Sequence, residues 1–194
     1  MRRRGAGLAA DRRGSRRGAS LRDRVRKLAN DECAAATVEF SLVAIPLLGL
    51  ILGALQLSLT FFAGQILQSA ATDAGRQLMT GQAQSGGMTA AQFGQLVCSP
   101  ISGLFNCNNM MVDVQSAGAY SAINTAPPTL TFDSKGKVAN KWAWSPGGAG
   151  AVVIVRVMYD WPVFGPGGLG LANEPDGGHL LIAATVLKNE PFPS

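Results

Sequence analysis

The chain has 194 residues, of which 47% are hydrophobic and 15% are charged, and its formal net charge is +5. Most of the positive charge lies in residues 1–30, which hold eleven of the seventeen lysines and arginines. Because an apolar segment follows, we interpret this charge as a topology signal that says little about partners. The chain has one histidine, no Gly-x-Ser-x-Gly motif and no cluster with metal-ligand spacing, so we expect no enzyme, no cofactor and no metal site.

Residues 1–34 are predicted to form a basic cytoplasmic leader that is mostly disordered, because they are rich in Arg, Gly and Ser and contain no aromatic residue. Residues 21–32 have a composition that would add a short helix. Arginine-rich arms also bind nucleic acid. Here a membrane span follows at once, so we predict no nucleic-acid partner and a secondary attraction to the anionic inner leaflet.

The apolar segment 40–63 contains no charged residue. As a helix its 24 residues would reach about 36 Å, which is enough to cross a bilayer core of about 30 Å. The basic residues before it place the N-terminus in the cytoplasm and export the residues after it. Pro46 should bend this helix, and the lone polar Gln56 is explained equally well by a hydrogen bond to a neighbouring helix or its own backbone and by a functional role. The basic region is too long for an ordinary secretory signal, so an uncleaved or unusually cleaved anchor is expected.

Glu39 stands at the head of the span, where a carboxylate is costly without a partner. One interpretation keeps it in the headgroup layer, near the positive end of the helix dipole. The other pairs it with a positive group on another subunit. Gly49 and Gly53 have the G-x-x-x-G spacing that lets a second helix approach closely, although this spacing often arises by chance.

The run AAATVEFSLVAIPLLGL, from Ala34 through Pro46 to Leu50, resembles the N-terminus of TadE-like and related TadG-like proteins. These are pseudopilins of the bacterial tight-adherence, or Flp, pilus and secretion system. The resemblance implies cleavage by a prepilin peptidase between Ala34 and Ala35, which would leave Glu39 as the fifth residue. Processing stays open, because Ala34 stands where the family usually has glycine. It also implies helix assembly through Glu39, Phe40 and Pro46, with the lipid bilayer, other pilins or pseudopilins and pilus assembly proteins as partners.

The helical pattern continues through 64–80, so we predict one rod from about residue 36 to 80 and treat 35–80 as a unit. Residues 89–98 read as a short helix capped by Thr89. Cys98 and Cys107 are a disulfide candidate in an exported domain. A zinc site from these two cysteines and His179 would lack a fourth ligand, and we reject it.

Residues 81–194 are predicted to form an extracytoplasmic α+β domain in which an antiparallel sheet packs on the rod. The predicted strands are 111–115, 129–132, 151–159 and 179–187, with Arg156 facing solvent. The Ala-rich middle of 179–187 is also compatible with a helix. The G-x-G-x-x-G run at 165–170 is interpreted as a loop, and Asp160, Glu174 and Asp176 as solvated. Three tryptophans are expected to cover the sheet or to lie near the headgroups: Trp142, Trp144 and Trp161.

Two functional hypotheses follow. The Cys…Cys pair, the strand ending in YDWPV and the closing strand extend the family resemblance over residues 34–192. The first hypothesis is therefore a pseudopilin or minor pilin in the bacterial inner membrane, with a periplasmic domain, that assists assembly of a Flp-type pilus. The second is a single-pass, anchored extracytoplasmic binding or adhesion module that is not incorporated into a pilus.

Overall fold

The structure is a computed structural model that describes residues 32–192. Its helices are α1 (Glu32–Met79), α2 (Gln82–Ser85) and α3 (Ala90–Cys98), and its strands are β1 (Met111–Ala117), β2 (Val152–Trp161) and β3 (His179–Lys188). The strands form one antiparallel sheet in the order β1-β2-β3. The predicted α+β class, a long apolar helix followed by a small antiparallel sheet packed on it, is confirmed.

Helix α1 continues without a break from the apolar segment into the amphipathic segment, as the sequence predicted. It ends at Met79 because Gly81 adopts a left-handed conformation, with φ of 77°, which favours glycine. The chain divides into two compact units with their boundary at Leu50–Ile51, inside α1. Residues from Ile51 onward therefore belong to the unit that contains the sheet.

The main core lies between the second half of α1 and one face of the sheet. The helix presents small side chains at intervals of three and four residues, and these let the strands approach closely. Gly75 shows how closely: a β-carbon there would lie 3.1 Å from side-chain carbons of Leu187 and Thr185. The buried core residues from α1 are Ala63, Leu67, Ala70, Ala71, Ala74 and Leu78, and those from the sheet include Val153, Val155, Val157, Tyr159, Leu181 and Ala183.

The opposite face of the sheet is also covered. A second apolar cluster contains Met111, Leu130, Met158 and Leu180, with side chains from the long β1–β2 connection packed against it. The expectation that Arg156 faces solvent is therefore wrong: the residue is only 4% exposed. Arg156 Nη1 donates to Asp113 Oδ2 at 2.8 Å, and its Nη2 donates to the carbonyl of Asn124 in the covering connection.

The remaining elements follow the sequence with two exceptions. Helix α3 begins with the predicted Thr89 cap, which forms a reciprocal capping box with Gln92. Segment 129–132 is not a strand: only Phe132 makes a bridge, with Val138, because the Asn140 side chain accepts from the Thr131 backbone N–H in place of a strand partner. The short helix α2 was not predicted. The suggested helix at 21–32 lies outside the described residues except for its last position.

Candidate functional site

The residues implied in processing lie in the first turns of α1. The peptide bond between Ala34 and Ala35 is inside the helical segment that begins at Glu32. Glu39 and Phe40 are both exposed, and the Phe40 side chain is 74% exposed. Within the part of the chain that the structure describes, the Glu39 carboxylate therefore lies on an exposed helix surface.

Pro46 and the two glycines of the G-x-x-x-G spacing differ in their surroundings. Pro46 lies within α1 and is exposed. A β-carbon at Gly49 would have no atom within 4 Å, so this position is open. A β-carbon at Gly53 would instead lie 3.8 Å from Leu169 Cδ1, in ordinary van der Waals contact with the chain's own domain. Gly49 and Gly53 therefore do not form a fully uncovered pair on the helix surface, because Leu169 already lies next to Gly53.

Gln56 is the residue whose partners the sequence did not reveal. Its side chain is buried, its Nε2 donates to the Gly168 carbonyl at 3.0 Å, and its Oε1 accepts from the Phe164 N–H at 3.2 Å. Neither a neighbouring helix nor its own backbone supplies these bonds. Both amide atoms are satisfied by one loop of the domain, residues 162–171, which we call the Gln56 loop.

The Gln56 loop contains the G-x-G-x-x-G run. Gly167 and Gly168 have φ near 58°. Leu169 has φ of 55° and is, within residues 32–192, the one residue other than glycine with a positive φ. Its end is tied to β3, since His179 Nδ1 donates to the Leu171 carbonyl at 2.5 Å. These conformations produce a compact loop whose Gly168 carbonyl points at the helix.

The apolar part of α1 has the length and composition of a membrane span. Within Ala36–Met79, its most apolar stretch has no buried residue. A core helix of a soluble protein would be mostly buried instead. From Phe40 to Phe62 the exposed large side chains are all apolar, and among them are Leu50, Leu55 and Phe61.

Cys98 and Cys107 form the predicted disulfide, with 5.6 Å between their α-carbons. With both sulfurs in this bond, neither thiolate is available as a metal ligand. The disulfide joins Cys98, the last residue of α3, to the segment that precedes β1, next to a group of three aromatic rings. Phe105 packs edge-on against Tyr159 with ring centroids 4.9 Å apart, and its ring lies 5.7 Å from that of Trp161. Two of the tryptophans cover the sheet: Trp144 packs on Phe93 and against the main core, and Trp142 packs against the second cluster. Trp161 is the last residue of β2 itself.

Three carboxyl groups come together where β2 ends and β3 begins. Burial, followed by a hydrogen bond with Asp176 and the negative charges of Asp176 and Glu174, raises the pKa of Asp160 to about 7. Burial and the charge of Asp176 also raise the pKa of Glu174. Our expectation that these groups are simply solvated misses this contact. Among residues 32–192, no group of three or more His, Cys, Asp or Glu side chains is placed to hold a metal ion.

A groove of about 430 Å³ runs along the domain between the start of β1 and the 132–138 turn. Its lining combines aromatic and apolar side chains with amide and charged groups. The residues include Asn108, Asn109, Met111, Phe132, Lys137, Trp142 and Asp160.

Comparison with known proteins bears on α1. No curated protein and no solved structure matches the chain. Residues 34–76, which contain Glu39, Pro46 and most of α1, match the family model described as TadE-like protein, and this confirms the resemblance seen in their sequence.

Proposed function

We propose that the chain is a membrane-anchored pseudopilin or minor pilin-like protein that assists assembly of a Flp-type pilus or secretion apparatus. The observation that carries the proposal is the match of residues 34–76 to the TadE-like family. This match falls on an exposed apolar helix with an open carboxylate near its start. In this proposal the helix lies in the inner membrane, its N-terminus is cytoplasmic and its sheet domain is periplasmic.

Assembly would depend on Glu39. In lipid, apolar side chains have little preference for protein over lipid, so polar pairs direct helix association. If a prepilin peptidase cleaves between Ala34 and Ala35, the new amino group is a cation of the right sign for a sister subunit's Glu39. The exposure of Glu39 and Phe40 supports this role, because a partner helix meets no obstruction from the side chains described around them.

The second candidate is an anchored extracytoplasmic binding or adhesion module. The groove of about 430 Å³ favours it, since Phe132 and Trp142 line it beside amide and charged side chains. In this case α1 only tethers the domain, and the identity of its membrane-facing residues is unimportant.

The change Glu39→Gln separates the two candidates, because it removes the charge and keeps the shape. The matched control is Asp73→Asn, the same chemical change at an exposed position further along α1. For a pilus role we expect Glu39→Gln to reduce sheared surface pili at least fivefold, while Asp73→Asn assembles normally. Normal piliation with Glu39→Gln would contradict the assembly role.

A span exchange supplies the second test. A generic apolar helix should replace residues 36–52 only, because Gly53 and Gln56 contact the domain. A tether predicts full activity of this chimera, and a pilin role predicts loss of assembly. Mass spectrometry of the membrane-bound chain then determines whether it begins at Met1 or at Ala35.

A further inference from the structure

We propose that the Gln56 loop is a second membrane contact, with the Phe164 and Leu169 side chains inserted into the outer face of the bilayer beside the span. The inference rests on the membrane-anchoring part of the proposed function and is independent of any role in a pilus. Its ligand is a lipid surface.

The first argument is the surface of the loop. Phe164 is 73% exposed and Leu169 is 50% exposed, although both are large and apolar. No charged residue lies between Asp160 and Glu174, so nothing in this part of the chain opposes contact with lipid. In water, two such side chains on one charge-free loop gain nothing from their exposure, whereas the acyl region of a bilayer would bury them.

The second argument is the backbone conformation of Leu169. Its φ of 55° is one that glycine adopts without cost and that costs other residues on the order of 1–2 kcal/mol. Gly167 and Gly168, immediately before it, have nearly the same φ. A leucine at this position therefore disfavours the turn, and burial of its exposed side chain in lipid would compensate for that cost.

The third argument is the position of the loop along α1. The loop binds Gln56, which lies 17 residues after Glu39, or about 26 Å along a helix. This separation approaches the thickness of the hydrocarbon core, about 30 Å. If Glu39 lies near one boundary, Gln56 lies near the other, and the loop that covers it lies at the lipid headgroups.

The headgroup level also suits the loop's own polar groups. Irregular backbone that faces lipid is not tolerated in the hydrocarbon core, since its N–H and C=O groups would lack partners. At the interface, water supplies those partners while side chains reach the upper acyl region. Within the loop, the Gly168 N–H donates to the Gly165 carbonyl and the Leu171 N–H to the Gly168 carbonyl. The bilayer core then ends near Leu55, several residues earlier than the segment 40–63 suggests.

The test is depth-dependent quenching of a single fluorescent probe in the full chain. The background is Cys33→Ser, because Cys98 and Cys107 are joined to each other and do not react. An environment-sensitive label is attached to Phe164→Cys in phosphatidylcholine vesicles. Tyr120→Cys is the matched control, because Tyr120 is also exposed, at 60%. Tyr120 follows the end of β1, where Ala117 pairs with Val152 at the start of β2. The Gln56 loop follows Trp161 at the other end of β2. Leu48→Cys reports the span itself.

We expect the probe at position 164 to emit at shorter wavelength than the probe at 120. We also expect shallow spin-labelled lipids to quench it at least threefold more than they quench the probe at 120. Water-like emission and equal iodide quenching at 164 and 120 would overturn the proposal, and deep quenching at 48 would show that the anchor itself stands. Protection at 164 that disappears when the protein-to-lipid ratio is lowered would also overturn it, in favour of a contact between two copies.

Discussion

Removal of the Asp113 carboxylate should strongly destabilise the sheet domain. Asp113 and Arg156 are adjacent partners on β1 and β2, and the side chains of both are 5% exposed. Asp113 also accepts from the Ala143 N–H at 2.9 Å and from Gln115 Nε2 at 2.8 Å. The change Asp113→Ala would therefore leave a buried guanidinium without its counter-ion and two donors without their acceptor.

The expected loss is about 3–5 kcal/mol, the usual cost of removing one partner from a buried ion pair. Unpaired donors cost about 1–3 kcal/mol each when they stay buried, so the upper part of this range applies. A domain of this kind has a free energy of unfolding of about 5–15 kcal/mol, and the variant would be marginally folded. Replacing both charges, Asp113→Ala with Arg156→Met, should recover at least about 2 kcal/mol, since no uncompensated charge remains.

The assay is urea unfolding of the full chain in detergent micelles, followed by tryptophan fluorescence, because Trp144 and Trp161 pack against the core. Asp73→Ala is the control for loss of an exposed carboxylate and should change the free energy of unfolding by less than about 0.5 kcal/mol. An Asp113→Ala chain within about 1 kcal/mol of the parent, or a double variant no more stable than the single one, would refute the reasoning.

Three further predictions concern the domain. The pKa of Asp160 is about 7 in the folded protein and 3.8 ordinarily, so the folded protein binds a proton that the unfolded chain releases between these pH values. The free energy of unfolding should therefore fall from pH 4 to pH 7 by on the order of 1 kcal/mol, allowing for partial exposure. In thermal unfolding, Asp160→Asn should remove this pH dependence. Replacing both Cys98 and Cys107 with serine should lower the free energy of unfolding by about 2.5–3 kcal/mol, because the bond no longer restricts the unfolded chain; an unchanged urea titration would contradict this. Gly81→Ala should lower the melting temperature more than Gly87→Ala. Both glycines have positive φ, but a β-carbon at 81 would overlap the Phe192 ring, whereas a β-carbon at 87 would have no atom within 4 Å. Equal losses would contradict this.

The long helix and the three strands could be predicted because each has a recognisable local pattern in the sequence. Stripes spaced by three and four residues identify the buried side of α1, alternating apolar residues identify β1, and a run of mostly β-branched apolar residues identifies β2. The disulfide was predictable for a different reason: two cysteines nine positions apart in a segment predicted to be exported have few alternatives. These features depend on neighbours in the sequence, so local pattern is sufficient.

The environment of Arg156 was predicted wrongly because the segment that covers it, the β1–β2 connection, has no regular hydrophobic pattern. In the sequence, the single charged residue within the apolar run of β2 predicts a side that faces solvent. Here the outer face of the sheet is covered by the β1–β2 connection, whose Asn124 carbonyl accepts from Arg156. Gln56 was missed for the same reason, since its partners are about 110 positions away in an irregular loop. Side-chain bonds to irregular backbone depend on tertiary structure and leave no period to detect.

From Ile51 onward, α1 turns one side toward the domain and leaves another side uncovered within the same helical turns. Gly53, Gln56, Thr60 and Ala63 are covered or partly covered by the domain and continue, at intervals of three and four residues, into the buried stripe through Leu67. Leu55, Leu59 and Phe62 alternate with them and remain exposed. Gly53 therefore belongs to the domain-facing stripe, so the contact that the G-x-x-x-G spacing suggests between two helices is already made at this glycine within one chain. Because that stripe fixes the rotation of the helix against the sheet, it also determines which side chains from Ile51 onward are left to meet lipid or a second copy.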